Sequence, residues 1–159
     1  MADAKDIDDS LEFLRYFEKH TQNPDLGALV QEKLSLDKKS LDLRCIKLKE
    51  NDFHSLADIE PLCRLKALNL DETGLTSSGL KHLVGSRIFS DLETLSLANN
   101  NLDDEGIFYL SKSPHLSQLK NLNLTSNEIG MVGARVLFAA AFLGSVRLID
   151  NVAVRPRGA

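Results

Sequence analysis

The two cysteines and four histidines of this chain of 159 residues, Cys45, Cys63, His20, His54, His82 and His115, are the first candidates for holding a metal, attacking as nucleophiles or carrying protons. Their spacing fits none of those tasks. A metal site written locally in sequence needs a C-x-x-C pair or two histidines one helical turn apart, and neither occurs here. Phosphate-cradling loops of the GxGxxG or GxxxxGK kind are also missing. A Ser–His–Asp set is defined in space rather than in sequence, and nothing in the sequence selects one. The expectation is a protein that is not an enzyme and takes no metal or cofactor. What remains is hydrogen bonding by short polar side chains. Asn69, Ser96 and Asn123 stand 27 residues apart, one after the other.

Leucines set that interval. The chain reads LKALNLDETGL from Leu65, LETLSLANNNL from Leu92 and LKNLNLTSNEI from Leu119. The apolar offsets agree: Leu65, Leu68, Leu70 and Leu75; Leu92, Leu95, Leu97 and Leu102; Leu119, Leu122, Leu124 and Ile129. A unit of this length cannot bury its own apolar face and stacks on its neighbours. Leucines two apart, such as Leu68 and Leu70, have the period of a strand and point into a core. Asn69, Ser96 and Asn123, between them, point to water. The strands are short and parallel. Helices cover one side of the sheet only, in contrast to ordinary parallel sheets.

The motif LxxLxLxxNxL, met at 92–102 and with Ile129 in the last place at 119–129, resembles the leucine-rich repeat family. The 27-residue interval and the pairs Gly79/Leu83, Gly106/Leu110 and Gly133/Leu137 resemble its ribonuclease-inhibitor-like class. The resemblance covers roughly 65–142. It implies an α/β fold: a short right-handed solenoid, a horseshoe segment with parallel strands on the concave face and helices on the convex face, to which the helices before the first copy would add a helical N-terminal cap. It implies that Asn100 and Asn127 satisfy backbone groups where the chain leaves the strand. Thr73, in the same place one copy earlier, has a single hydroxyl for that work. It implies too that the concave face binds other proteins.

Weaker copies flank the clear ones. Leu41, Leu43 and Leu48 align with Leu68, Leu70 and Leu75, with Lys38 and Ile46 at the first-leucine and Asn places. At a step of 24 rather than 27, Leu143, Val146, Leu148 and Asn151 reproduce the motif, with Ala153 last. This predicts five strands, at 40–44, 67–71, 94–98, 121–125 and 145–149, and helices at 52–63, 77–85, 104–112 and 130–142. Gly79, Gly106 and Gly133 weaken helices; their common phase points to close approach between units. Two further helices, 10–20 and 25–34, carry apolar stripes (Leu11, Leu14 and Phe17; Leu26, Leu29, Val30 and Leu34) suited to covering the first strand. The expected division is a cap at 1–36, a repeat domain at 37–151 and a tail at 152–159, with repeats at 37–64, 65–91, 92–118, 119–142 and 143–153.

The composition, 43% hydrophobic and 26% charged, is that of a globular chain. No run approaches the roughly 18 apolar residues of a membrane span. The N-terminus (Asp3, Asp6, Asp8, Asp9) is acidic and lacks an apolar signal core. The expected location is intracellular and cytoplasmic, the nucleus being open as well. Cys45 and Cys63 read as structural or incidental thiols. A net charge of −4 and a pI near 5.5 argue against a nucleic-acid-binding adaptor. Lys33, Lys38 and Lys39 make only a local basic patch. A regulator of a small GTPase is a further alternative, which the resemblance permits because its 27-residue class includes GTPase activators.

The leading expectation is a non-catalytic interaction module or scaffold that binds a partner protein on its strand face. The residues concerned are Asp42, Arg44, Asn69, Asp71, Glu72, Thr94, Ser96, Asn99, Asn121, Asn123, Thr125 and Arg147. No aromatic anchor of the usual hot-spot kind stands in these positions. A second surface comes from VLFAAAFLG, Val136 to Gly144, which is apolar all round up to Leu143. Val136, Phe138, Ala140 and Phe142 would build a homodimer or partner contact there. The competing readings are a tail folded over this helix through Val152, Val154 and Pro156, and a truncated parent.

Overall fold

The structure, a computed structural model, describes Arg15 and residues 24–142, without the side chains of residues 24, 141 and 142. The expected helix at 10–20 (Arg15 apart), the strand at 145–149 and the tail at 152–159 lie outside the described residues. The elements follow the order α1 (Pro24–Lys33), β1 (Ser40–Asp42), α2 (Glu50–Ala57), β2 (Ala67–Asn69), α3 (Ser77–Gly85), β3 (Thr94–Ser96), α4 (Asp104–Lys112), β4 (Asn121–Asn123) and α5 (Met131–Phe142). Single 3-10 turns at Glu60–Leu62 and Arg87–Phe89 lead into β2 and β3. The strands form one parallel sheet in the order β1-β2-β3-β4. Its register is that of the repeat: Leu41 pairs with Leu68, Leu68 with Leu95 and Leu95 with Leu122.

These leucines form one buried row, and Leu43, Leu70, Leu97 and Leu124 form the next. The helices complete the core with Phe53 and Leu56, Leu80 and Leu83, Ile107 and Leu110, and Ala134 and Leu137, all buried. α1 begins on Pro24, whose missing N–H is no loss at a helix start. It buries Leu26 and Val30 in the same core. Leu34 then bridges to Leu41, and the Ser35 N–H donates to the Ser40 carbonyl at 2.8 Å. The outer edge of β1 is thereby covered.

Two elements differ from expectation. The strands span three residues each rather than five. Hydrogen bonding continues past their ends: the Leu43 N–H donates to Asn69 O and the Cys45 N–H to Asp71 O, both at 2.9 Å. The backbone, however, leaves the extended region. Cys45, Glu72, Asn99 and Ser126, one per repeat, have φ of 62°, 60°, 53° and 56°. Each is a left-handed residue that turns the chain out of the sheet, at a steric cost for a side chain with a Cβ. The helix expected at 52–63 is instead Glu50–Ala57. Pro61 has no N–H to donate to the Ala57 carbonyl, so an α-helix cannot run through it. A turn at Asp58 and the 3-10 segment replace the last helical turn, and Ile59 stays buried.

Buried asparagines tie two of the repeats to the one before. The Asn100 amide donates to Leu70 O at 2.8 Å and to its own Leu97 O at 3.1 Å. Its Oδ1 accepts from the Gly74 and Leu75 N–H groups at 3.0 and 2.9 Å. Asn127 repeats this one step on, donating to Leu97 O at 2.8 Å and accepting from the Leu102 N–H at 3.1 Å. Thr73 reaches the Leu70 carbonyl but accepts nothing from the repeat before it; the Leu48 N–H goes to the Thr73 main-chain carbonyl instead.

Helix starts interlock as well. The Ser77 hydroxyl donates to Asp103 Oδ1 at 2.7 Å, and that oxygen caps α4 through the Glu105 and Gly106 N–H groups. A Cβ on Gly106 would lie 2.6 Å from Ser77 Oγ, and one on Gly133 would lie 3.1 Å from Asp104 Cα. Both glycines are present because two helices approach there with no room for a methyl group.

Three outcomes follow from this packing. Leu97→Ala removes a side chain buried between neighbouring repeats and should cost about 2–5 kcal/mol, whereas Ser96→Ala, on the open face, should cost about 1 kcal/mol; urea titration distinguishes them, and equal losses would overturn the strand phase. Gly106→Ala should destabilise by about 1–3 kcal/mol through overpacking, and more than Gly85→Ala, where a Cβ meets nothing within 4 Å. The Asp103 carboxyl is held below its ordinary 3.8, first by the Ser77 hydroxyl and then by the Gly106 and Glu105 N–H groups, with partial burial opposing. A lowered folded-state value means that its contribution is complete above about pH 3.8 and is lost as the pH falls through the folded value. A carboxyl NMR titration should show Asp103 moving back up in Ser77→Ala.

Candidate functional site

The sheet sets the site. Residues flanking each inward leucine emerge on the face away from the helices, and the parallel register lines them up in rows. One row is Ser40, Ala67, Thr94 and Asn121; the next is Asp42, Asn69, Ser96 and Asn123. Apart from exposed Ser40, they are half-buried, because neighbours in a row lie against one another. The structure thus brings together the expected residues from Asp42 to Thr125. Arg147 lies outside the described residues.

The side chains of this face are ordered by bonds among themselves. The Thr125 hydroxyl donates to Asn123 Oδ1 at 2.7 Å, the Asn123 amide to Ser96 Oγ at 3.1 Å, and the Ser96 hydroxyl to Asp71 Oδ1 at 2.7 Å. The Ala98 N–H donates to the same Asp71 oxygen at 2.7 Å. A relay therefore crosses three repeats and ends on a carboxylate. The Asn121 amide donates to Thr94 Oγ1 at 3.2 Å. Asn69 accepts from the Asp71 N–H at 2.9 Å, and among the described residues its own amide donors reach no acceptor. Arg44 donates from Nε and Nη2 to Asp42 Oδ2 at 2.8 and 2.6 Å, which raises the guanidinium above its ordinary value. Glu72 and Asn99 occupy the left-handed turn positions and project from the rim, exposed, with 3.5 Å between Asn99 Nδ2 and Glu72 Oε1.

The opposite rim has charges that the sequence reading passed over. Lys66 and Lys120 flank Glu93, one repeat on either side, at 3.3 and 2.6 Å. Lys120 first and Lys66 second hold the Glu93 carboxyl below its ordinary range. Their common 27-residue spacing was the available signal, one place ahead of each strand.

Among the described residues, which leave out His20, the groups that could do covalent or metal chemistry do not assemble. Cys45 and Cys63 are exposed free thiols. His54 and His82, on α2 and α3, are brought together with ring centroids 3.5 Å apart, tilted by 35°. Stacked rings hold their nitrogens in separate planes rather than aiming them at one point. Among the described residues, no three His, Cys, Asp or Glu side chains could hold a metal ion, and no helix is long and apolar enough to cross a membrane. On the second expected surface, Phe138 is exposed, Ala140 is half-buried, Val136 packs partly against the core, and the Phe142 side chain lies outside the described residues. Met131 and Val132 join Phe138 as exposed apolar residues of α5.

A comparison with curated proteins gives no match. The model of the leucine-rich repeat family matches residues 90–111 and 115–138. Each match spans a β-strand and most of the helix that follows it. Together with four in-register strands at a 27-residue interval and the buried asparagines of the last two repeats described, these two consecutive matches support a leucine-rich repeat protein.

Proposed function

We propose that this chain is a non-catalytic module that binds a partner protein across its strand face, over Asp42, Asn69, Asp71, Ser96, Asn121 and Asn123. The observation that carries this reading is the relay from Thr125 to Asp71. Its polar groups are held in place before any partner arrives, so little side-chain freedom is lost on binding. The unspent donors of Asn69 and the exposed side chains of Glu72 and Asn99 offer directed contacts beside it. The 27-residue α/β unit with its recurring glycine supports placement in the ribonuclease-inhibitor-like class. Two exposed thiols, neither in a disulfide, support a reducing intracellular compartment. Against nucleic acid stands a face in which Arg44 is paired with Asp42, and Lys66 and Lys120 with Glu93.

Quantitative capture from the native cell extract tests the reading. Asn69→Lys with Asn123→Lys should lower recovery of the specific partners about tenfold or more, equivalent to about 1.4 kcal/mol. A helical-face control, Phe108→Ser, should recover them as the wild type does, with unfolding midpoints measured for both variants. Loss with the control and retention with the double variant would move the site to the helices.

A further inference from the structure

The relay across the strand face has a forced direction. Main-chain N–H groups can only donate. The Thr125 N–H donates to Asn123 Oδ1 at 3.1 Å and the Ala98 N–H to Asp71 Oδ1 at 2.7 Å, so both oxygens are acceptors. A carbonyl or ionised carboxylate oxygen has no hydrogen to give back. The Thr125 hydroxyl therefore gives its hydrogen to Asn123, and the Ser96 hydroxyl gives its own to Asp71. The Asn123 amide must then supply the hydrogen in its bond to Ser96. Every hydrogen of the relay points toward Asp71, and both hydroxyls are spent in doing so. Among the described residues, Asp71 Oδ2 accepts nothing. Neutral donors orient a carboxylate and leave its charge in place. The other carboxylates of the face and its rims have cations: Asp42 lies 2.6 Å from Arg44 Nη2, and Glu93 lies between Lys66 and Lys120. Asp71 and Glu72 are in no ion pair among the described residues. The Glu72 carboxylate meets the Cys45 thiol and the Asn99 amide, at 3.8 and 3.5 Å. Arg44 feels Asp71 through space, but its fork is held by Asp42.

We infer that the partner is a protein carrying a cationic segment, which sets an arginine or lysine side chain against Asp71 and Glu72; this rests on the reading of the strand face as the binding surface. A guanidinium or ammonium supplies Asp71 Oδ2 with the hydrogen bond it lacks, and the two carboxylates with the opposite charge they lack. Bonds between charged donors and acceptors are roughly twice as strong as neutral ones. The Ser96 hydroxyl and the Ala98 N–H hold the acceptor in place beforehand, so little side-chain freedom is lost on contact. The unspent amide hydrogens of Asn69 lie two residues back on the same face and suit a main-chain carbonyl of the same segment. Lys66 and Lys120, before the opposite ends of the strands, are held by Glu93. An anionic occupant, such as a nucleic-acid backbone, would meet like charge at Asp71 and Glu72.

A displayed library of random peptides, selected on the full chain and re-measured as synthetic peptides, tests this. The expected result is a recurrent arginine or lysine in peptides whose binding is lost with Asn69→Lys and Asn123→Lys together. Asp71→Asn with Glu72→Gln should weaken those peptides about tenfold or more. Once the basic residue of the peptide is exchanged for glutamine, that double variant should remove nothing further. Asparagine at 71 keeps an oxygen for the Ser96 hydroxyl and the Ala98 N–H, and unfolding midpoints check that the fold is kept. Glu72→Gln alone, on an exposed side chain, carries the test if Asp71→Asn does not fold. Strand-face peptides without a basic residue, or with one indifferent to Asp71 and Glu72, would overturn the inference and leave the strand-face reading standing. Binders that all survive Asn69→Lys with Asn123→Lys, or a selection that returns none, would remove both.

Discussion

The bond on which the rest of the molecule depends is the one a buried asparagine makes to the repeat before it. Where each strand ends, the chain turns toward the helical layer, and its backbone groups pass underneath the leucines. Unpaired, each such group would cost roughly 1–3 kcal/mol. Asn100 supplies donors to Leu70 O and Leu97 O and an acceptor to the Gly74 and Leu75 N–H groups, so one side chain satisfies two turns. Because contacts in a stacked array run only between neighbours, each asparagine couples one rung to the next. Where Thr73 replaces it, a hydroxyl covers one carbonyl, and the Leu48 N–H donates to the Thr73 main-chain carbonyl.

That coupling explains why the spacing within strand and turn is strict. A residue added between a strand's leucines and its asparagine would move the asparagine off the preceding turn, and a one-residue slip of the strand would turn its leucines out of the core. The same strictness accounts for Gly106 and Gly133, which sit where consecutive helices approach too closely for a methyl group. It also accounts for the left-handed residues. All four repeats turn out of the sheet at the same place, whether the residue there is Cys45, Glu72, Asn99 or Ser126. The turn is imposed by the need to bring a helix behind the strand, and the local steric cost is offset by the packing that it permits.

The functional consequence is a stiff polar face. Helices occupy one side of the sheet, and among the described residues those flanking each leucine have no element packed across the other side. They bond along the rows instead, repeat to repeat, so that Thr125, Asn123, Ser96 and Asp71 hold one another's orientation. On the proposed reading, a partner would be recognised by matching donors and acceptors at set positions, with little apolar area contributed. Its rim charges are largely spent on each other, as in the pairs of Arg44 with Asp42 and of Glu93 with Lys66 and Lys120, which suits a surface that selects by geometry more than by net charge.

The sequence by itself determined the interval, the buried leucine rows, the outward polar rows and the bounds of α3 and α4. Each of these depends on whether a side chain is apolar and on its phase along the chain, and both can be read residue by residue. It also marked the close approach at Gly106 and Gly133, because a helix-weakening residue recurred in phase. The tertiary structure alone decided where the strands give way to left-handed turns, which carbonyl each asparagine reaches, and that His54 meets His82 ring on ring. It alone decided that Glu93 lies between two lysines and that Leu34 returns to cover β1. These outcomes rest on distances between groups roughly one repeat or less apart in sequence, and such distances are set only when neighbouring rungs have stacked. Phase along a chain says which way a side chain points; what it meets depends on the backbone brought beside it.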